Sequence, residues 1–270
     1  MKERKPMTVD LTDMVVVITG AAGIIGSAMS KDFTRNGAKV VGAGRTQESL
    51  DNINREVREA GGEMIVVKTD VGREEDCENL IDAAIKKYGR VDVLINNAGI
   101  NDSGGRKKIF EFADEPWHST IECNLDGAFY LSRRASREMI KQGEGGSILN
   151  ISSVMGIVPA ANQCAFATAK AGLINLTRAM ALELGPYNIR VNCLCPGNTE
   201  WKGSGKFREG MGEENFALHM KHLPLRRIGI GEEMSGLACF LASNEASYIT
   251  GANHVVDGGW TCNIPRGFEF

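Results

Sequence analysis

The sequence predicts an α/β fold in which one parallel sheet of about seven strands is covered by helices on both faces. Short apolar segments alternate with longer helical patterns along almost the whole chain, which is typical of βαβ units. The apolar segments are rich in Val and Ile and lack polar alternation, as expected for strands that are buried on both faces. A glycine-rich turn, Gly20 to Gly26, joins the first apolar segment to the first helical pattern.

The predicted strands and helices follow one another without a linker, so we predict a single domain over residues 1–270. Strands are predicted at residues 14–19, 39–43, 63–68, 91–95, 147–151, 189–194 and 254–256. Helices are predicted at residues 23–36, 47–60, 73–88, 116–141 (one helix or two), 163–184 and 232–242. Residues 198–227 do not fit the alternation, because glycines and charges are interspersed there, and we expect a substrate lid at about these positions.

The composition excludes several classes of function. Hydrophobic residues make up 43% and charged residues 24% of the chain, and the net charge of −3 favours neither nucleic acid nor an anionic membrane as a partner. No segment approaches the roughly 18 apolar residues of a membrane span. The seven cysteines lack metal-ligand spacing, which favours reduced thiols over disulfides or zinc. We therefore expect a cytoplasmic protein without a metal site.

The turn after the first predicted strand has the pattern of a phosphate-binding loop. Its glycines allow a sharp bend and a close approach of the backbone to an anion, and the following helix presents free N–H groups there. A tight structural turn is the alternative, but the position between a strand and a helix favours a dinucleotide. The predicted pyrophosphate contacts are Gly20, Ala22, Gly23, Ile25 and Gly26.

The end of the second predicted strand is where the adenosine ribose of a dinucleotide is recognised. A carboxylate there would bind the 2′-hydroxyl of NAD. The sequence instead has Arg45 and no acid, and a guanidinium matches the geometry of a 2′-phosphate. This favours NADP, with NAD as the other possibility. The alternative role of Arg45 is that of a surface residue that stacks on the adenine.

Further motifs follow the glycine turn along the chain. They are Asp70-Val71, Asn96-Asn97-Ala98-Gly99, Asn124, Ile151-Ser152-Ser153, Lys170, Pro196-Gly197, Tyr248-Ile249-Thr250-Gly251 and Val256-Asp257-Gly258-Gly259. In this order, and with the glycine turn, they resemble the short-chain dehydrogenase/reductase family in its single-domain branch, over about residues 10–260. The glycine turn departs from that branch in one respect: Gly23 comes one position early and Ile24 takes the place of a glycine, a spacing more like the extended branch of the family.

The resemblance implies NAD(P)-dependent transfer of a hydride between the nicotinamide and a secondary alcohol or ketone, of the 3-oxoacyl, sugar-acid, polyol or steroid class. It assigns the adenine amino group to Asp70, the adenosine ribose to Asn97 and the nicotinamide carboxamide to Thr199. The implied cofactor contacts beyond the glycine turn and Arg45 are Asp70, Val71, Asn97, Ala98, Gly99, Lys170, Pro196, Gly197 and Thr199.

The family's chemistry uses an asparagine, a serine, a tyrosine and a lysine, and one of the four is missing here. By resemblance, Asn124, Ser153 and Lys170 match three of them. The tyrosine should lie four residues before Lys170 and thirteen after Ser153, and both counts end at Phe166. Phenylalanine cannot transfer a proton, and general acid–base catalysis is commonly worth about 10² to 10⁴ in rate. The chain is therefore expected to bind cofactor and substrate but to turn over slowly.

Two interpretations of Phe166 stay open. The chain is either an engineered Tyr→Phe variant of an active enzyme, or a natural member of the family that has lost the phenol and now binds, regulates or does different chemistry. The surviving Asn124, Ser153 and Lys170 favour the first.

The assembly and the lid give weaker signals. The helical patterns at residues 116–141 and 163–184 match the surfaces through which the family usually pairs subunits, so a homotetramer or homodimer is expected. An excess of basic residues at residues 198–227 hints at an anionic substrate, against the alternative of an exposed charged helix. The apolar C-terminal segment 264–270 is a candidate contact with a neighbouring subunit.

Overall fold

The computed structural model describes residues 5–101, 105–200 and 212–262, and the strands within them form one sheet. The strands are β1 Val15–Thr19, β2 Lys39–Gly44, β3 Glu63–Lys68, β4 Val93–Asn96, β5 Gly146–Ile151, β6 Ile189–Pro196 and β7 Asn253–Val256. Their order across the sheet is β3-β2-β1-β4-β5-β6-β7, and every neighbouring pair is parallel. All seven carboxyl ends therefore lie along one edge.

Helices cover both faces of the sheet. They are α1 Ile24–Arg35, α2 Gln47–Glu59, α3 Glu74–Tyr88, α4 Asp114–Ile121, α5 Gly127–Gln142, α6 Cys164–Leu184, α7 Glu213–Lys221 and α8 Gly231–Ala242. One apolar core joins α1, α2 and α8 to the sheet, and a second joins α3, α5 and α6 to its other face. β1 supplies both cores, since Val16 and Ile18 point into the first while Val15 and Val17 point into the second.

The direction of the chain across the sheet reverses between β1 and β4. From β1 the chain proceeds outward to β2 and β3, and it then returns to place β4 on the other side of β1. In open α/β sheets a ligand binds in the crevice at such a reversal, outside the carboxyl ends of the strands. The predicted doubly wound Rossmann fold is confirmed, and it fixes where the site must lie.

Buried polar side chains hold α5 and α6 against the sheet. Asn96 Nδ2 donates to Ser132 Oγ at 3.0 Å and to Asn150 Oδ1 at 2.8 Å. Asn150 Nδ2 in turn donates to Thr177 Oγ1 at 2.8 Å. Buried amides need such partners, because an unsatisfied one costs about 1–3 kcal/mol. The chain of bonds from β4 through β5 to α6 thereby fixes how α6 lies on the sheet.

The structure departs from the predicted elements in two places. The helix predicted at residues 116–141 begins earlier, at Asp114, and a π-helical turn over Glu122–Asp126 divides it into α4 and α5. Part of the predicted lid is the helix α7, and its flanking backbone is joined by a bridge between Thr199 and Gly229. Residues 201–211 of the predicted lid, and residues 264–270, lie outside the described residues. In the part of the chain that the structure describes, no helix is long and apolar enough to span a membrane.

Candidate active site

The glycine turn between β1 and α1 is built by close backbone contacts. Gly20 has a φ of +63°, a conformation that disfavours other residues. A Cβ on Gly26 would lie 2.1 Å from the carbonyl oxygen of Gly20, so only glycine fits. Helix α1 begins after Gly23, which provides no side-chain cap. The N–H groups of its first turn, which include that of Ile25, have no partner within the helix and suit an anion.

The same turn is fastened to the end of β4. Asn97 Nδ2 donates to the carbonyl oxygen of Thr19 at 2.8 Å and to that of Gly20 at 3.2 Å. In return, Thr19 Oγ1 accepts the backbone N–H groups of Asn97 and Ala98 at 3.0 and 2.9 Å. These bonds set the spacing of the crevice between β1 and β4.

On the other side of the turn, the edge carries the residues predicted to bind the adenosine. Arg45 is exposed immediately after β2. After β3, Asp70 Oδ1 accepts the N–H of Gly72 at 3.1 Å and the N–H of Asp70 donates to Asp76 Oδ2 at 2.9 Å, while Val71 is buried. The turn at Asp70 is thus held rigidly at the edge where β1, β2 and β3 end together.

At the far side of the crevice, β6 ends in Pro196, and the residues after it pack against the end of β7. The N–H of Gly197 donates to the carbonyl oxygen of Val256 at 2.9 Å, and a Cβ on Gly197 would lie 2.6 Å from Asp257 Cα. Thr199 Oγ1 donates to the carbonyl oxygen of Gly197 at 3.3 Å. The Pro196-Gly197 turn is therefore fixed, and Thr199 follows it at the same edge.

Lys170 is the buried cation at the centre of the edge. Its Nζ donates to the carbonyl oxygen of Ile151, at the end of β5, at 2.9 Å. Burial lowers the pKa of Lys170 to about 8. The ammonium also lies 5.7 Å from the centre of the Phe166 ring, one helical turn earlier on α6. Phe166, which the sequence analysis predicts at a tyrosine position, is thus beside Lys170, and its ring carries no oxygen.

Asn124 faces the same space from the π-helical turn. Its Nδ2 donates to the carbonyl oxygens of Ile100 and Thr120 at 2.8 and 2.9 Å. Its Oδ1 is buried and accepts no hydrogen bond within the described residues. A Cβ on Gly99 would lie 2.7 Å from this oxygen and 3.3 Å from Lys170 Nζ. The glycine therefore keeps open a space that both polar groups border, and π-helical turns often occur at such sites.

Ser153 begins a short 3₁₀ turn directly after β5. Its Oγ accepts the backbone N–H of Met155 at 3.1 Å, so its hydroxyl hydrogen is left to donate elsewhere. The preceding Ser152 donates from Oγ to the carbonyl oxygen of Lys170 at 2.8 Å. This bond ties the end of β5 to α6 and fixes Ser153 relative to Lys170.

Two contacts at the site were absent from the sequence-based prediction. Gln163, the residue directly before α6, donates from Nε2 to Asn101 Oδ1 at 3.1 Å and ties the loop after β4 to the start of α6. Ile151 supplies the acceptor for Lys170 through its backbone, which the residue type does not reveal. Only the position of Gln163, three residues before Phe166, could have indicated the first.

Comparison with known proteins agrees with this geometry. A family model described as enoyl-(acyl carrier protein) reductase matches residues 20–261. The chain is 34% identical to 3β-hydroxysteroid dehydrogenase 2 of Eggerthella lenta, over 93% of this chain and 96% of that protein. It is 36% identical to an L-rhamnose 1-dehydrogenase (NAD(P)⁺) of Azotobacter vinelandii, over 94% of this chain and 99% of that protein. A short-chain type dehydrogenase/reductase of Mycobacterium marinum has a similar structure, with a TM-score of 0.86 and 32% identity, and the match covers 94% of this chain and 98% of that one.

The chain belongs to the short-chain dehydrogenase/reductase family. Its class of activity is therefore NAD(P)-dependent oxidation or reduction of a small alcohol or ketone. The residues of this short-chain dehydrogenase/reductase fit a nicotinamide dinucleotide. The tight glycine turn, in which a Cβ on Gly26 would collide with Gly20, lies at one end of the crevice. At the other end lie the Lys170 ammonium and Asn124 Oδ1, which accepts no hydrogen bond within the described residues.

We predict that Gly26→Ala weakens binding of NADPH and NADH by at least tenfold, because the added methyl group would collide with the carbonyl oxygen of Gly20. Calorimetric titration measures the dissociation constants. Gly185→Ala is the matched control, since a Cβ there meets no atom within 4 Å. Unchanged nucleotide affinity in a folded Gly26→Ala protein would contradict the proposed pyrophosphate site.

Proposed function

We propose that this chain binds NADP(H) along the carboxyl edge of the sheet and holds a secondary alcohol or ketone at Ser153, with turnover slowed by Phe166. The carbonyl substrate is of the 3-oxoacyl, sugar-acid, polyol or steroid class, and the steroid class is that of one relative named above. The observation that carries the proposal is the pairing of the buried Lys170 ammonium with the aromatic ring of Phe166, 5.7 Å away on the same helix.

Each polar side chain has a distinct role in the proposal. The cofactor supplies or accepts the hydride. The Ser153 hydroxyl donates to the substrate oxygen, and the Lys170 ammonium binds the hydroxyls of the nicotinamide ribose. Asn124 Oδ1 accepts from a water molecule that connects Lys170 to solvent. In an active enzyme of this family a phenol would transfer the proton, with its pKa lowered from about 10 by the neighbouring ammonium. Phe166 offers no such proton.

A second candidate function follows from the same residue. A chain that binds the dinucleotide but cannot supply a proton could act as a nucleotide-binding regulatory homologue. Phe166 itself favours this alternative, whereas the presence of Asn124, Ser153 and Lys170 together favours an enzyme. The two differ in whether a phenol oxygen restores catalysis.

We predict that Phe166→Tyr raises kcat for ketone reduction by about 10² to 10⁴, because it restores a general acid beside the Lys170 ammonium. The measurement is NADPH and NADH oxidation over a panel of 3-oxoacyl, sugar-acid, polyol-derived and steroid ketones. Phe110→Tyr is the control, because Phe110 is 76% exposed and its new hydroxyl would lie in solvent. A Phe166→Tyr protein that binds the cofactor but reduces no ketone faster than its parent would support the regulatory alternative.

The preference for NADP over NAD is a separate part of the proposal. Arg45 is exposed at the end of β2, where the 2′-position of the adenosine ribose is recognised. The charge of Arg45 also reaches the Cys123 thiol. Burial raises the pKa of this thiol, and the charges of Arg45 and Lys170 oppose that rise. The charge of Arg45 therefore acts at the same edge of the sheet as that of Lys170.

We expect Arg45→Ala to weaken the binding of NADPH tenfold or more and to change the affinity for NADH less than threefold, since only NADPH carries the 2′-phosphate. Dissociation constants from fluorescence titration of both nucleotides test this. Arg55→Ala removes a similarly exposed arginine from α2 and should change the affinity for neither nucleotide. Equal weakening of both nucleotides in Arg45→Ala would remove the NADP assignment and leave Arg45 as an adenine-stacking residue.

We also propose a single domain with a lid at about residues 198–227, a cytoplasmic location, and a homotetramer or homodimer. The free state of all seven cysteines supports the location. The assembly is supported by apolar side chains that α5 and α6 expose: Phe129 is 42%, Ile140 38% and Leu182 82% exposed. Exposed apolar surface of this kind marks contacts between proteins.

A charge on this surface should dissociate the assembly. We predict that Leu182→Glu lowers the molar mass measured by light scattering from that of a dimer or tetramer to a smaller species, because a carboxylate would be buried in the contact. Leu218→Glu on α7, where Leu218 is 53% exposed, should leave the mass unchanged. A parent chain that is monomeric at tens of micromolar would contradict the proposed assembly.

A further inference from the structure

Two cysteines of β6 form a buried pair under α6. Cys193 and Cys195 are two residues apart on the strand, so their side chains point to the same face of the sheet. Their Sγ atoms lie 3.8 Å apart, and both residues are fully buried. Together with Ile174 of α6 they form a small core cluster of their own. Neither sulfur is part of a disulfide in this structure.

The pair is placed where it can affect the end of the crevice. The carbonyl oxygen of Leu194, between the two cysteines, accepts the backbone N–H of Ser152 at 2.8 Å. The Pro196-Gly197 turn begins directly after Cys195. A change in the length of this part of β6 therefore acts on the turn and, through Ser152, on the neighbouring Ser153.

The surroundings of the pair favour a thiolate at one of the two sulfurs. A hydrogen bond from the Cys195 thiol and the charge of Lys170 lower the pKa of Cys193, although burial opposes them. The same hydrogen bond and burial raise the pKa of Cys195. Because the thiolate is the reactive form of a cysteine, Cys193 is the nucleophile of the pair. Cys195 then lies within reach as the second thiol.

A bond between the two sulfurs would shorten β6. A disulfide holds its sulfurs about 2.0 Å apart, so those of Cys193 and Cys195 must approach by nearly half their present separation. Alternate Cα atoms of an extended strand are about 6.6 Å apart, near the upper limit of about 6.8 Å for a disulfide. The N–H groups of Cys193 and Gly197, at the two ends of this stretch, are bonded to the β7 side of the sheet at 2.9 Å. Contraction between these two bonds therefore displaces the turn at Gly197.

We propose that Cys193 and Cys195 are a redox-sensitive dithiol, which a hydroperoxide oxidises to a disulfide that weakens cofactor binding. The Cys193 thiolate attacks one oxygen of hydrogen peroxide and the O–O bond breaks, which gives a sulfenic acid and, after protonation, water. Cys195 then attacks the Cys193 sulfur, the S–O bond breaks, and the hydroxide leaves with the Cys195 proton as a second water. The two thiols thus lose two electrons, and the peroxide accepts them.

Burial of the pair couples its oxidation to the nucleotide. A peroxide reaches the thiols when the end of β6 opens locally. A dinucleotide bound against the Pro196-Gly197 turn opposes both this opening and the contraction of the strand. Oxidation and nucleotide binding therefore disfavour each other, and the coupling is reciprocal. The effect on the nucleotide rests on the proposed function, whereas formation of the disulfide does not.

Mass spectrometry tests the disulfide. Trypsin releases residues 191–202 as one peptide, which contains Cys193 and Cys195 and no other cysteine. After hydrogen peroxide treatment of the folded chain, then unfolding and alkylation, this peptide should be lighter by two hydrogens and carry no alkyl group. Dithiothreitol should reverse the change. Cys239→Ala, which removes a buried thiol of α8, should form the disulfide as the parent chain does. Two alkylated thiols in the peptide after peroxide treatment would overturn the inference.

Calorimetric titration with NADP⁺ tests the consequence. We expect the peroxide-treated chain to bind NADP⁺ at least tenfold more weakly than the reduced chain, and dithiothreitol to restore the affinity. Cys195→Ala and Cys193→Ala each remove one partner of the disulfide, so either variant should keep its reduced affinity after the same treatment.

Saturating NADP⁺ should slow formation of the disulfide in the parent chain. A disulfide that leaves the affinity for NADP⁺ unchanged would contradict the proposed effect, as would an equal loss of affinity in the parent chain and both alanine variants. A reduced, folded chain that binds no nicotinamide nucleotide contradicts the proposed function itself, and the mass of the peptide still decides whether the disulfide forms.

Discussion

The reciprocal hydrogen bonds between the end of β1 and the end of β4 are the constraint on which the rest of the site depends. The side chain of Asn97 satisfies the carbonyl oxygens of Thr19 and Gly20, and the Thr19 hydroxyl satisfies two N–H groups after β4. The pairing between β1 and β4 ends at Ile18 and Ile95, and beyond it the chain diverges to opposite sides. The bonds continue the contact between the two strand ends and hold open a crevice of fixed width, which gives the glycine turn and α6 a common frame.

Within that frame, the chain retains the costly features of a catalytic site. A buried ammonium is unfavourable unless it is compensated, and Lys170 has the carbonyl oxygen of Ile151 and the face of Phe166 as compensation. The lowered pKa of Lys170 reflects the remaining cost of burial. Asn124 likewise keeps a buried amide oxygen that accepts no hydrogen bond in the described part of the chain. Burial of such groups reduces the stability of the fold. Their presence beside Phe166, whose ring differs from that of tyrosine by one oxygen, is therefore better explained by catalysis than by folding.

The sequence predicted the sheet well, because its strands are determined by local patterns. Valine-rich strands and the glycine turn have signatures that depend on neighbouring residues alone. The π-helical turn at Asn124 was not predicted, since an extra residue in a helix leaves the apolar spacing nearly intact. Helix α7 falls within the predicted lid because none of its residues is buried, so it has no apolar stripe to recognise. The backbone acceptor that Ile151 offers to Lys170 depends on how α6 lies on the sheet, which residue spacing does not encode.

The most direct test of the account is a calorimetric titration of the unaltered chain with NADPH and with NADH. The proposed function predicts one binding site per chain, tighter binding of NADPH than of NADH, and slow turnover because Phe166 carries no phenol oxygen. Folded protein that releases or absorbs no heat with either nucleotide, and gains no thermal stability from them, would contradict the central claim that the edge between β1 and β4 is a nicotinamide dinucleotide site.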